Sequence, residues 1–197
     1  MLTPIFTHIP GIKVVCPSTP YDTKGLLIQA IRENDPVIFC EHKNLYGFEG
    51  EVPEASYAIP FGEANVVRDG RDATVVAYGL MVHRALEAAA SLAKEGIEIE
   101  IVDLRTLSPI DMDTVLDSVT RTGRLVCVDE ANPRCSIAAD VSAQVAMQAF
   151  GALTAGIEMV TPPHVPVPFS PPLEDLYIPS AAQVAAAVRK TLKGGRH

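Results

Sequence analysis

Asp129-Glu130, Asp103 with Arg105, and the run Ala30-Ile31-Arg32-Glu33-Asn34-Asp35 are the places where residue type and spacing could support chemistry. Adjacent carboxylates at a strand end repel, and one with a raised pKa could exchange protons. Arg134 lies four residues beyond Glu130 and a helix begins near Ser136. An ion pair or a helix cap is therefore the favoured reading of that pair. Asp103 and Arg105 read the same way, as a structural turn or an interface pair. At the end of the first predicted helix, unpaired carbonyls carry partial negative charge, and Glu33 and Asp35 add oxygen ligands. That terminus could hold a hard cation, the alternative being a solvated, charged helix end. Gly79 and Asn132 complete the polar positions expected at strand ends.

Much other chemistry is excluded by the same inspection. No glycine pattern for a dinucleotide, a P-loop or a hydrolase elbow occurs. Cys16, Cys40, Cys127 and Cys135 form no C-x-x-C, and the first, second and third sit in apolar runs as buried thiols. His8, His42, His83, His164 and His197 belong to no spaced metal cluster.

The elements that must position these residues follow from hydrophobic period. Residues 12–16 and 37–40 are short strands flanking a helix that starts at Ser18 or Thr19, with Pro20 in its first turn. That helix stops before Asn34-Asp35-Pro36. Glycine and proline punctuate residues 43–72 without a lasting period, which suggests an inter-domain connection. From residue 73, strands at 73–78, 97–102, 125–128 and 157–160 alternate with helices at 81–94, 112–120 and 137–150. A proline-rich stretch, 161–172, leads to a last helix at 181–192. The expected fold is a three-layer α/β/α domain with a parallel-dominated sheet, preceded by a shorter α/β piece. The division runs 1–62, a linker at 63–72, and 73–197. One strand–helix–strand unit cannot bury both its faces, so residues 1–62 are expected to be disordered, swapped or covered by a second copy.

With 16 Lys and Arg against 24 Asp and Glu, the net charge is −8. That acidity opposes nucleic-acid and anionic-membrane surfaces. No apolar run reaches membrane-spanning length and no secretory signal opens the chain, so a cytoplasmic protein is expected.

Four strings carry a family signature: IPGIKVVCPSTPYDTKGLLIQAIRENDPVIFCEHKNLYG, DLRTLSPID, GRLVCVDEANPRCSIAADVSAQV and TPPHVPVPFSPPLEDLYIPS. They resemble the beta subunit of thiamine-diphosphate-dependent 2-oxo acid dehydrogenases, most of all the acetoin dehydrogenase branch. The resemblance implies a partial pyrimidine-binding domain over residues 1–62, then a transketolase-type C-terminal domain. It implies an alpha subunit and a second beta subunit in a heterotetramer, docked to an acyltransferase core. Thiamine diphosphate and Mg would be held in the full complex, not by this chain alone. The family's activating glutamate and H-S-Q histidine have no counterpart here, so no catalytic or cofactor-binding residue is assigned. The family's monovalent-cation site, for K, maps onto the Ala30 and Ile31 carbonyls with Glu33 and Asp35, where the usual pattern is aspartate and then asparagine. This chain alone is expected to be inert, serving subunit assembly. The exposed apolar residues Val165, Val167 and Phe169 of the proline-rich arm are expected to seek an interface. Alternatives are a non-enzymatic interaction module or an independent metabolite-binding α/β domain.

Overall fold

The apolar runs at the start of the chain become β1 (Lys13–Val15) and β2 (Val37–Phe39), paired parallel with Lys13 opposite Val37. They follow α1 (Thr3–Thr7) and flank α2 (Pro20–Arg32). The Thr19 side chain accepts the Asp22 N–H and caps α2, while Pro20 occupies a position where a missing N–H costs nothing. The computed structural model describes residues 1–194 and leaves His197 outside.

A second sheet follows. The elements after β2 are β3 (Asn65–Arg68), β4 (Ala73–Ala77), α3 (Leu80–Ala93), β5 (Ile99–Asp103), β6 (Thr106–Ser108), α4 (Met112–Thr122), β7 (Leu125–Val128), α5 (Ile137–Gln148), β8 (Glu158–Val160), α6 (Pro171–Tyr177) and α7 (Ala181–Lys193). Strand order is β3-β5-β4-β7-β8, parallel except for β3, which runs antiparallel to β5. Ala73, Val75 and Ala77 of β4 share a core with α3 and α7, while Val76 shares the opposite core with α4 and α5. Two helical layers thus sandwich one sheet, as the strand–helix alternation demands.

Four short elements escape the sequence reading: α1, β3, β6 and α6. Each spans too few residues to display a period. β3 lies inside the stretch of residues 43–72 expected to be irregular. Pro171 and Pro172 read as helix breakers, yet they open α6, where proline is tolerated.

β6 belongs to the first sheet, not the second. It pairs antiparallel with β1, giving the order β2-β1-β6. Val14 and Cys16 pack with Val76, Tyr78, Val102 and Leu104 of the larger sheet's core. Val14, Val15 and Cys16 are fully buried. The expectation of bare strand faces therefore fails at β1, because the C-terminal domain itself covers that strand. β2 is only half-buried.

Close approach of the β3–β4 connection to the start of β5 explains one glycine. A Cβ on Gly70 would lie 2.1 Å from the Ile99 carbonyl carbon, a main-chain clash that no rotamer relieves. Gly70→Ala is expected to cost about 3 kcal/mol or more, at the upper end of overpacking penalties, read as a lowered urea midpoint by circular dichroism.

Candidate functional site: the polar junction between the two sheets

Asp103 ends β5, and the chain must turn sharply to begin β6. Arg105 makes that turn with φ +53°, and its N–H donates to Asp103 Oδ1 at 3.0 Å. The Ser18 hydroxyl donates to the other Asp103 oxygen. The Arg105 guanidinium then reaches into the first segment. Nη1 meets Asp22 Oδ1 at 3.1 Å, and Nε and Nη2 donate to the Glu63 carbonyl at 3.1 and 2.8 Å. Nη2 also donates to the Ala64 carbonyl at 3.2 Å. One planar fork thereby ties α2, the connection and β5 together. Asp22 and Asp103 are buried, and Arg105 nearly so.

Burial lifts the Asp103 carboxyl to about 7, with the Ser18 hydroxyl pulling it back and the Asp22 charge adding to the rise. In the unfolded chain the same group ionises near its ordinary value, about 3.9. The folded state therefore holds an extra proton between those two values, and the stability this group contributes falls as pH rises through that window. The expected result is a urea midpoint that drops between about pH 4 and pH 7, flattened in Asp103→Asn.

Asp129 and Glu130, adjacent in sequence, are sent in opposite directions. Asp129 turns inward. Its Oδ1 accepts the Tyr78 hydroxyl at 2.5 Å and the Ala131 N–H at 2.7 Å. Its Oδ2 accepts the Ala138 N–H at 3.2 Å, in the first turn of α5. Burial raises the Asp129 carboxyl, and burial with the Asp129 charge pushes the Tyr78 phenol well up. Glu130 turns toward the first segment, where His42 Nε2 lies 2.7 Å from Oε2. His42 Nδ1 accepts the Asn44 N–H at 3.2 Å, so Nε2 carries the proton donated to Glu130. Both ring nitrogens are engaged, and neither is free to abstract a proton.

The favoured cap reading of Asp129 thus describes its bond to α5, whereas the partner of Glu130 is His42 and not Arg134. Arg134 lines a separate cavity with His8 and the exposed Cys135. Cys16 and Cys127 are buried thiols, Cys127 being pushed to about 12 by burial; Cys40 is half-buried, because β2 is an edge strand. Of the other histidines, His83 Nε2 lies 2.8 Å from the Ser18 carbonyl. Sequence reasoning missed Ser18, Asp22 and His42 because their partners lie 85, 83 and 88 residues away.

At the α2 terminus, Lys13 Nζ sits 2.8 Å from Glu33 Oε2 and 3.3 Å from Asp35 Oδ2. The Ala30 carbonyl accepts the Glu33 N–H at 3.3 Å, and the Ile31 side chain is exposed. One ammonium group from β1 already pairs with both carboxylates. Among the described residues no group of three or more His, Cys, Asp or Glu side chains is placed to hold a metal ion.

A cleft of about 500 Å³ opens between α2 and residues 41–52, at the C-terminal ends of β1 and β2. Its lining is mostly aliphatic and aromatic, and its one amine, Lys24, donates to the Pro53, Glu54 and Ala55 carbonyls. Nothing in that donor set suits a diphosphate with its metal. Among the described residues no helix is long and apolar enough to cross a membrane.

Comparison with known proteins agrees with this architecture. Residues 1–49 match the transketolase pyrimidine-binding domain and residues 62–184 the transketolase C-terminal domain. The whole chain is 84% identical over 197 residues to the beta subunit of acetoin:2,6-dichlorophenolindophenol oxidoreductase from Cupriavidus necator, spanning 58% of that protein. It is 50% identical over 185 residues to the pyruvate dehydrogenase E1 component subunit beta of Bacillus subtilis, covering 93% of this chain and 57% of the relative. The chain thus spans a little over half the length of these curated relatives. Among solved structures, an inactive beta4 tetramer of a split-gene transketolase superposes with a TM-score of 0.83 at 28% identity, over 98% of this chain and 62% of the other. Matched across residues 62–184, with strand order and cores to suit, the chain belongs to the transketolase C-terminal domain family.

Proposed function

We propose that this chain is the assembly portion of the beta subunit of a thiamine-diphosphate-dependent acetoin or 2-oxo acid dehydrogenase. The 84% identity along the whole chain to an acetoin oxidoreductase beta subunit carries this reading. In the full complex, acetoin is cleaved oxidatively or a 2-oxo acid decarboxylated, and the acyl group passes to a lipoyl arm. Thiamine diphosphate, with Mg, would supply the carbanion chemistry, held by groups outside these residues. What the chain contributes is the polar junction, which fixes the first segment against the C-terminal sheet, and surfaces for an alpha subunit, a second beta subunit and the acyltransferase core. Val165, Val167 and Phe169 are exposed along the proline-rich arm, with Phe169 wholly so, and they offer one such surface. The Ala30 and Ile31 carbonyls with Glu33 and Asp35 enter this reading as a seat for K once Lys13 is displaced.

The experiment is dye-linked acetoin oxidation with thiamine diphosphate and magnesium present. The purified chain alone is expected to give no turnover, and a full-length beta subunit with its alpha subunit to give it. Turnover by the chain alone would defeat the assignment. A second reading, a self-associating scaffold, is favoured by the inactive tetramer among the structural neighbours. Failure of the chain to co-purify with an alpha subunit, together with a homotetramer by light scattering, would select it.

A further inference from the structure

We infer that Ser18, Asp22, Asp103 and Arg105 form a pH-operated latch between the two sheets. It seats the start of α2 on the C-terminal sheet while Asp103 is protonated, and releases it locally once Asp103 ionises. The charge balance sets the direction. Arg105 spends its guanidinium on Asp22 and on the Glu63 and Ala64 carbonyls, and none of it on the Asp103 carboxyl. With the Asp103 proton on, Asp22 and Arg105 balance. With it off, a second carboxylate is buried near Asp22 without a cation of its own, and opening to water is favoured.

Every element packed around Asp103 brings its groups to that balance. Ser18 comes from the loop after β1 and Asp22 from α2, both buried. The buried Cys16 thiol, next to β1, feels the Asp103 charge. From α3, His83 Nε2 lies 2.8 Å from the Ser18 carbonyl. At the start of α4, Asp111 faces the Arg105 charge and accepts the Ala64 and Thr114 N–H groups. The sheet neighbours of Asp103, Asn65 on β3 and Ala77 on β4, carry no charge. Burial is the first cause of the rise of Asp103 to about 7; Asp22 adds to it, and the Ser18 hydroxyl and Arg105 oppose it.

α2 is the element free to respond. Its buried residues are Asp22, Gly25 and Leu26, while Leu27 and Ile31 lie exposed, so the polar contacts at its start carry much of its attachment. Once released, Asp103 ionises near its ordinary value, about 3.9. The opening constant of α2 therefore grows about tenfold per pH unit between about pH 4 and pH 7, and levels off above.

The test is hydrogen exchange of the whole chain read by mass spectrometry at pH 5, 6, 7 and 8, each rate divided by the intrinsic rate at that pH. Peptides from α2 are expected to be less protected than those of β4 and β7 at every pH, and to lose about tenfold in protection per unit from pH 5 to pH 7. Asp103→Asn, isosteric with the protonated carboxyl, is expected to hold α2 protection constant within about twofold. Ser18→Ala removes the strongest group opposing the rise, so its decline is expected to continue to pH 8, where the wild type has levelled off. Flat α2 protection in the wild type, or an unchanged slope in Asp103→Asn, overturns the inference. So does a Ser18→Ala decline ending where the wild type ends. Equal protection of α2 and β4 throughout also overturns it, since α2 would then open only when the whole chain unfolds.

Discussion

Arg105→Met is expected to destabilise the fold by about 3–5 kcal/mol, the cost of stripping a buried charge of its partner. Two separate pieces of chain meet that guanidinium, Asp22 from α2 and the Glu63 and Ala64 carbonyls from the connection, while the Arg105 main-chain N–H donates to Asp103. Methionine preserves the stem but leaves Asp22, with a side chain 4% exposed, without its cation. Lysine offers a charge without the planar fork, so Arg105→Lys is expected to recover only a fraction of the loss. Adding Asp22→Leu to Arg105→Met removes the orphaned charge and should restore part of the stability, a coupling that a double-mutant cycle reads directly. Urea unfolding is also expected to lose its single transition, because the first segment detaches before the C-terminal sheet melts. Retention of one transition at the wild-type midpoint would show that the apolar contacts of Val14 and Cys16 alone hold the segment.

Asp129→Ala is expected to cost about 3 kcal/mol or more. It leaves the Ala131 and Ala138 N–H groups without an acceptor and the Tyr78 hydroxyl with only Thr3 Oγ1 at 3.2 Å, and each buried unsatisfied group costs about 1–3 kcal/mol. Tyr78→Phe removes one donor instead of the shared acceptor, so about 1 kcal/mol is expected. Asp129→Asn keeps one carbonyl oxygen for the N–H groups and should fall between them. Thermal melts of the three variants should rank alanine below asparagine below phenylalanine. Were Tyr78→Phe the most damaging, Asp129 would be serving the phenol alone and not the start of α5.

The long elements were legible in the sequence because each repeats its period. The run LVCV at residues 125–128 is bounded by Gly123 and Asp129, and the helix at 20–32 carries both a threonine cap and a following Asn-Asp-Pro stop. β6 was not legible. Thr106-Leu107-Ser108 has no pattern of its own and becomes a strand only because β1 offers an edge 90 residues earlier. The junction was half legible: Asp103-Leu104-Arg105 drew notice as a turn or interface pair, and the structure shows the turn, with the Arg105 side chain paired to Asp22 instead of Asp103. Its partners Ser18 and Asp22 look like ordinary first-turn residues of α2, since sequence shows local capping but not a side chain's distant acceptor. The pairing of Asp129 with Glu130 misled for a related reason. Successive residues at a strand end point to opposite sides, so neighbours in sequence serve different parts of the fold.

The central claim is that these residues fasten and present surfaces while the coenzyme is held elsewhere. Titration calorimetry of thiamine diphosphate with magnesium into the purified chain tests it most directly. No saturable heat is expected from the chain alone. Stoichiometric binding abolished by Glu41→Gln or Glu130→Gln would contradict it.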